Sequence, residues 1–96
     1  MNRFDNIARV ARKHRLNKDI SQADLSKALG YKNGQFISNV ERGLCSIPLK
    51  QLKKFCEVTG ATHAEIKDAM VADFASDIDL CLMPTEAQPS EQTTTT

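Results

Sequence analysis

The sequence predicts an all-α fold, a single small domain of five helices. Three observations lead there. Apolar residues recur at steps of three and four in five successive segments. Helix start and stop residues, Ser21, Gly30, Pro48, Gly60 and Thr62, stand between those segments. The chain has 96 residues, 41% of them hydrophobic, with no Trp and one Tyr, which suits one modest core rather than a large enzyme cleft.

The first helix spans Phe4 to about Leu16 in this reading. Phe4, Ile7, Ala8, Ala11 and Leu16 form its apolar side, and Arg9, Arg12, Lys13 and Arg15 its basic side. The basic side is either a solvated face or a set of phosphate contacts. His14 has no second ligand nearby and reads as a surface residue. Asn17-Lys18-Asp19 forms the loop to the second helix.

Ser21 caps the second helix, with Asp24 in the capping-box position and Ile20 and Leu25 placed as a hydrophobic staple. Leu25, Ala28 and Leu29 give one apolar stripe, and Gly30 stands where a left-handed residue closes a helix. Gln22 lies in the first turn, where free backbone N–H groups and the helix dipole favour phosphate. The turn that follows is Tyr31-Lys32-Asn33-Gly34. Gly34 relaxes the backbone there, lets the chain come close to a phosphate, or does both. Lys32 and Tyr31 flank it within reach of a sugar-phosphate backbone, and for Tyr31 packing on the second helix is the favoured reading.

The third helix carries the most informative pattern. Ile37, Val40 and Leu44, flanked by Phe36, form its buried face. Gln35, Ser38, Asn39 and Arg42 form the opposite face at steps of three, four and seven. An ordinary solvated face is rich in Lys and Glu. A stripe of Gln, Ser, Asn and Arg holds the donors and acceptors that read base edges and phosphates in a major groove.

Pro48 opens the fourth helix, with Leu49, Leu52, Phe55 and Cys56 toward the core and Lys50, Lys53 and Lys54 outward. Gly60 ends it. Thr62 and Glu65 then form a capping box for the fifth helix, with His63 inside the cap. Ile66, Ala69, Met70, Phe74 and Ile78 run along one side, extended by Leu80 and Leu82. Asp68, Asp73, Asp77 and Asp79 make much of the remainder acidic. This apolar length exceeds what one small core needs, so Met70, Phe74 and Ile78 are candidate dimer contacts. The first half of the helix serves core closure equally well. The segment from Pro84, PTEAQPSEQTTTT, is polar and aperiodic and is expected to be disordered.

Net charge is only +1, but it is unevenly placed. Residues 1–60 hold twelve Lys and Arg against five Asp and Glu, and residues 61–96 hold one against seven. A basic binding half and an acidic partner or dimer half follow. Cys45, Cys56 and Cys81 are far apart with no Cys-x-x-Cys pair, so no zinc site is expected, and the odd count fits a reducing compartment. No cofactor site is visible. Glu41 has no second carboxylate to share acid–base work, and no Ser-His-Asp set or phosphate-cradling Gly loop occurs, so an enzyme is not expected. No apolar run approaches the ~20 residues of a membrane helix, and the first ten residues lack the apolar centre of a secretion signal. The expected location is cytoplasmic.

Ser21-Gln22, Leu25, Leu29-Gly30, Ile37-Ser38 and Glu41-Arg42-Gly43, at their spacing, resemble the helix-turn-helix of the Cro and phage-repressor family, also called the Xre family. The resemblance runs from near Phe4 to about Gly60. Gly30 to Ile37 is seven residue steps, where the family most often has six, so the carry-over at Asn33 and Gly34 is defined to within one residue. The resemblance implies sequence-specific binding of double-stranded DNA through Gln22, Lys32, Asn33, Gly34, Gln35, Ser38, Asn39, Arg42 and Lys50. It also implies that Gln22 steadies the recognition helix and that Glu41 orders nearby groups. The implied protein is a small homodimeric repressor of phage or mobile-element type acting on a near-palindromic operator. An antitoxin-type regulator of the same fold, also binding a protein partner through its C-terminal segment, is the second reading. The corresponding organisation is a binding core over 1–60, an acidic helix over 61–83 for core closure or dimerisation, and a tail over 84–96.

Overall fold

A computed structural model describes residues 3–82 of the chain. The segment from Pro84 expected to be disordered lies outside the described residues. Five α-helices follow one another: α1 Asp5–Asn17, α2 Gln22–Ala28, α3 Gln35–Glu41, α4 Leu52–Thr59 and α5 His63–Leu82. A single 3₁₀ turn, Leu49–Gln51, precedes α4. No strand occurs among the described residues.

The core is built where the apolar stripes converge. α1 packs on α5, α3 and α4, and α2 packs on α3. Ile7 and Ala11 of α1, Leu25 and Leu29, Ile37 and Val40, Ile47, Phe55, and Ile66 and Ala69 of α5 form one buried cluster. Phe55 is the largest fully buried side chain. Burial of side chains of this size contributes about 1.5–3 kcal/mol each.

The helix ends follow the local chemistry. The Ser21 hydroxyl accepts from the Asp24 N–H at 2.9 Å, the capping bond expected from the sequence. α2 and α3 both close through a left-handed glycine, Gly30 at φ +96° and Gly43 at φ +77°. In each the next amide reaches back five residues, Tyr31 to the Ser26 carbonyl and Leu44 to the Asn39 carbonyl. The Thr62 hydroxyl accepts from the Glu65 N–H at 3.2 Å, but the Glu65 carboxylate turns to Lys13 and His14 of α1.

Several sequence expectations are corrected. Leu44 is exposed, because left-handed Gly43 turns the chain off the α3 axis before it. Leu49 is exposed and Ile47 takes the buried position, because one 3₁₀ turn separates Leu49 from the phase of α4. Leu16 is exposed and Arg15 is buried, since Arg15 continues the four-residue step of Ile7 and Ala11. Ala28 is exposed, and Ser26 is buried beside Leu25 instead. Tyr31 is partly buried against the core cluster that includes Leu25 and Leu29, and it also stacks on Phe36 of α3, rings 4.0 Å apart. His14 is partly buried, its Nε2 2.8 Å from a Glu65 oxygen.

Asp73, expected on the acidic outer face, is only 4% exposed. It accepts from the Asn6 and Ile7 N–H groups at 2.9 and 3.0 Å and from the Asn6 side-chain amide at 3.0 Å. It therefore supplies the N-terminal cap that α1, whose own cap position is Phe4, lacks. Arg3 adds a paired guanidinium–carboxylate contact to Asp77 one turn further along α5. α5 is thus tied to the start of α1 by charge as well as by packing. At about 1.5 Å per residue it is longer than any helix beneath it, and Phe74, Ile78, Leu80 and Leu82 are left exposed.

Candidate nucleic-acid interface

The sequence places the third helix at the surface with a polar stripe, and the structure explains what holds that helix still. Its inner face, Ile37 and Val40, is fully buried. The N–H of Gln35 is accepted by the Asn33 side chain at 2.9 Å and that of Ile37 by the Ser26 hydroxyl at 3.0 Å. Two of the amides that a helix start leaves open are thus satisfied within the protein. The Ser26 bond also pins the start of α3 to the middle of α2.

Gly34 is the point of closest approach. Its φ is −75°, an ordinary value, so freedom of the backbone is not the reason for a glycine here. A Cβ at this position would lie 3.1 Å from the Ala23 nitrogen and 3.2 Å from its Cα. The absence of a side chain lets the turn press against the first turn of α2. That brings Gln22, Lys32, Asn33 and the beginning of α3 onto one corner of the molecule.

The far end of α3 is fixed by a buried charge cluster. Arg15 of α1 donates to Glu41 through Nε at 2.5 Å and through Nη2 at 3.1 Å, and its Nη1 donates to the Ile20 carbonyl at 2.8 Å. The Arg15 and Glu41 side chains are 10% and 2% exposed. Gln22 of α2 donates its Nε2 to the same Glu41 at 3.0 Å. One carboxylate therefore joins α1, α2 and α3. The resemblance gave Glu41 an ordering role and Gln22 a steadying one, and both side chains are placed for it.

The outward stripe is partly organised before any partner arrives. Gln35 donates its Nε2 to the Asn39 Oδ1 at 2.8 Å. Gln35 and Arg42 are exposed and Ser38 and Asn39 partly so. Gln35, Ser38 and Asn39 lie on α3, and Arg42 is its C-cap residue. Lys32 and Asn33 are exposed in the turn. Lys50 is exposed on the 3₁₀ turn ahead of α4, on an element apart from α2 and α3. Lys18 lies over Gly60, at the C-terminal end of α4, where the helix dipole favours a cation. Arg9 and Arg12 of the first helix are exposed, whereas Arg15 is spent on Glu41.

Three residues that shape the site were missed: Arg15 as a core ion-pair partner, Ser26 as the α2–α3 link and Asp73 as the cap of α1. Each is a polar residue in phase with an apolar stripe. Arg15 follows Ile7 and Ala11, Ser26 adjoins Leu25 and Leu29, and Asp73 follows Ile66 and Ala69. That phase was the available signal, because a buried polar group requires a partner.

A helix-turn-helix family profile matches residues 12–66, more than half of the chain. Among solved structures, the chain is similar to the crystal structure of the clp gene regulator ClgR from Corynebacterium glutamicum. The TM-score is 0.61 at 20% identity, over 94% of this chain and 98% of that one. At that identity the likeness concerns the fold. No curated protein matches the chain.

Proposed function

This chain belongs to the Cro and phage-repressor type helix-turn-helix (Xre) family of DNA-binding transcriptional regulators, and on that premise we propose that it is a small homodimeric repressor that reads a near-palindromic operator with α3. The observation that carries the reading is a stripe of Gln35, Ser38, Asn39 and Arg42 on a short helix whose other side is locked by Arg15, Glu41, Gln22 and Ser26. Rigid placement matters because base readout depends on hydrogen-bond geometry, and every rotor frozen in advance lowers the cost of binding.

In this mechanism Gln35 and Asn39 present amides that fit adenine N6 and N7, and Arg42 fits guanine or a phosphate. Gln22, Lys32 and the Asn33-Gly34 backbone lie along the phosphates on the α2 side. Lys18, Lys32 and Lys50 add the salt-dependent term that is independent of sequence. Met70, Phe74 and Ile78 of α5 join two copies. Two recognition helices then address successive turns of the duplex, about 34–36 Å apart. Occupying the operator excludes polymerase sterically.

The test uses Asn39→Ala and Gln35→Ala on a selected DNA site and on random duplex. Each variant should lose about 1–3 kcal/mol of discrimination, with random-DNA affinity unchanged. Because Gln35 bonds Asn39 directly, the double variant should lose less than the two singles summed. Equal losses on both kinds of DNA would show that these residues do not read bases.

A further inference from the structure

Helices α4 and α5 carry the same short pattern on their facing sides. Leu52, Lys53 and Cys56 stand on α4, and Ile66, Lys67 and Met70 on α5: an apolar residue, a lysine beside it, then an apolar residue one turn on. All six line one groove of about 570 Å³ between the two helices. Ile66 is buried, and Leu52, Cys56 and Met70 are half-buried. Leu49 and Val71 extend the walls and are 78% and 58% exposed, so the groove is apolar and open to water.

The charge on this groove has one sign. Lys53 and Lys67 are exposed, one on each wall, and neither has an ion-pair partner among the described residues. No Asp or Glu lines the groove among those residues; Glu57, one turn along α4 from Lys53, and Asp68, next to Lys67, both lie outside the lining. A lysine stem adds apolar wall while its ammonium stays in water. The groove thus has an apolar floor and cationic edges. Along α5 it runs from His63 to Val71, about 12 Å. A patch of that length is far smaller than the about 800 Å² that each partner covers in a stable protein complex. Its volume falls instead in the range of small-ligand sites, about 300–1,000 Å³.

We infer that the groove binds a small amphipathic anion, an unbranched acyl chain ending in a carboxylate. The chain lies on Leu52, Cys56, Ile66 and Met70, where each methylene leaves water. The carboxylate stays at the rim and takes charge-assisted hydrogen bonds from the Lys53 and Lys67 ammonium groups. A cationic amphiphile of the same length finds the same floor but meets two like charges. A headgroup of either sign without a chain finds only two solvated lysines, which hold an anion weakly. The inference goes beyond the DNA-binding reading and does not depend on it. Met70 borders both this groove and the dimer contact proposed above, and the ligand lies on its α4 side.

The test is calorimetric titration of the full chain with decanoate, octanoate and decyltrimethylammonium, each below its micelle concentration. Decanoate should bind most tightly, with affinity falling about fourfold for each methylene removed. Lys53→Ala with Lys67→Ala, both exposed, should keep the melting temperature, weaken decanoate roughly fivefold and abolish the preference for it over the cation. Alkylation of the wild type by a maleimide, followed cysteine by cysteine in the mass spectrometer, locates the ligand. Cys56 lines the groove, whereas Cys81 is exposed near the far end of α5. Decanoate should slow the reaction at Cys56 severalfold and leave Cys81 unchanged. Equal binding of decanoate and the cation, or equal slowing at Cys56 and Cys81, would overturn the inference in favour of adsorption on any apolar surface. A Cys56 that resists alkylation in the free protein, with no heat from decanoate, would overturn it in favour of a groove already filled by the chain's own C-terminal segment or by a second copy.

Discussion

Removal of the Glu41 carboxylate tests the physical basis of the site most directly. Glu41→Ala leaves the Arg15 guanidinium in place, 10% exposed, with only the Ile20 carbonyl as acceptor. An uncompensated buried charge of this kind costs about 3–5 kcal/mol. In a domain of this size that lowers Tm by roughly 15–30 °C. Replacing both partners, as Arg15→Met with Glu41→Leu, removes the charge and its desolvation cost together. Similar substitutions of buried pairs are near neutral or stabilising, so the double variant should regain most of the lost stability. It should not regain function. Gln22 loses its acceptor at 3.0 Å, and the end of α3 loses its two-point attachment to α1. Urea melts followed by circular dichroism give the stabilities, and titrations of a selected DNA site with the folded fraction give affinity. The expected result is Glu41→Ala unstable, the double variant stable, and the double variant binding its site about tenfold more weakly. A Glu41→Ala variant within 1 kcal/mol of wild type would refute the buried-pair argument. A stable double variant with full affinity would show that packing alone positions α3.

Two further outcomes are expected at the α1–α5 junction. Asp73→Ala should cost about 3 kcal/mol, since it removes a cap and leaves the Ile7 N–H buried without an acceptor. Asp73→Asn should cost less, because one oxygen remains, and a loss below 0.5 kcal/mol for Asp73→Ala in urea melts would contradict the capping role. The hydrogen bond from Lys13, then that from His14, hold the Glu65 carboxyl below its ordinary range, and Arg3 does the same for Asp77. A depressed folded-state value means stability that is present at neutral pH and lost as pH falls through and below the ordinary carboxylate range. Glu65→Gln with Asp77→Asn should therefore flatten the decline in stability between neutral and strongly acidic pH, and an unchanged acid profile would place the acid-sensitive groups elsewhere.

The sequence by itself determined the five helices, their order and the central inward residues of each, Ile7 and Ala11, Leu25 and Leu29, Ile37 and Val40, Phe55, and Ile66 and Ala69. Those properties are local: a step of three or four residues, a serine before a helix and a glycine after it. The Ser21 cap, the Gly30 stop and the outward stripe of Gln35, Ser38, Asn39 and Arg42 were all legible for that reason. Leu44 and Leu49 were misplaced where the local rule loses its phase, at a left-handed glycine and at a single 3₁₀ turn. Tertiary structure alone decided the polar interior. Arg15 finds Glu41 26 positions away, Ser26 finds the Ile37 amide 11 away, and Asp73 finds the start of α1 67 away. Periodicity marks such residues as buried but does not name their partners, because a hydrogen bond depends on distance and angle in space and not on separation along the chain.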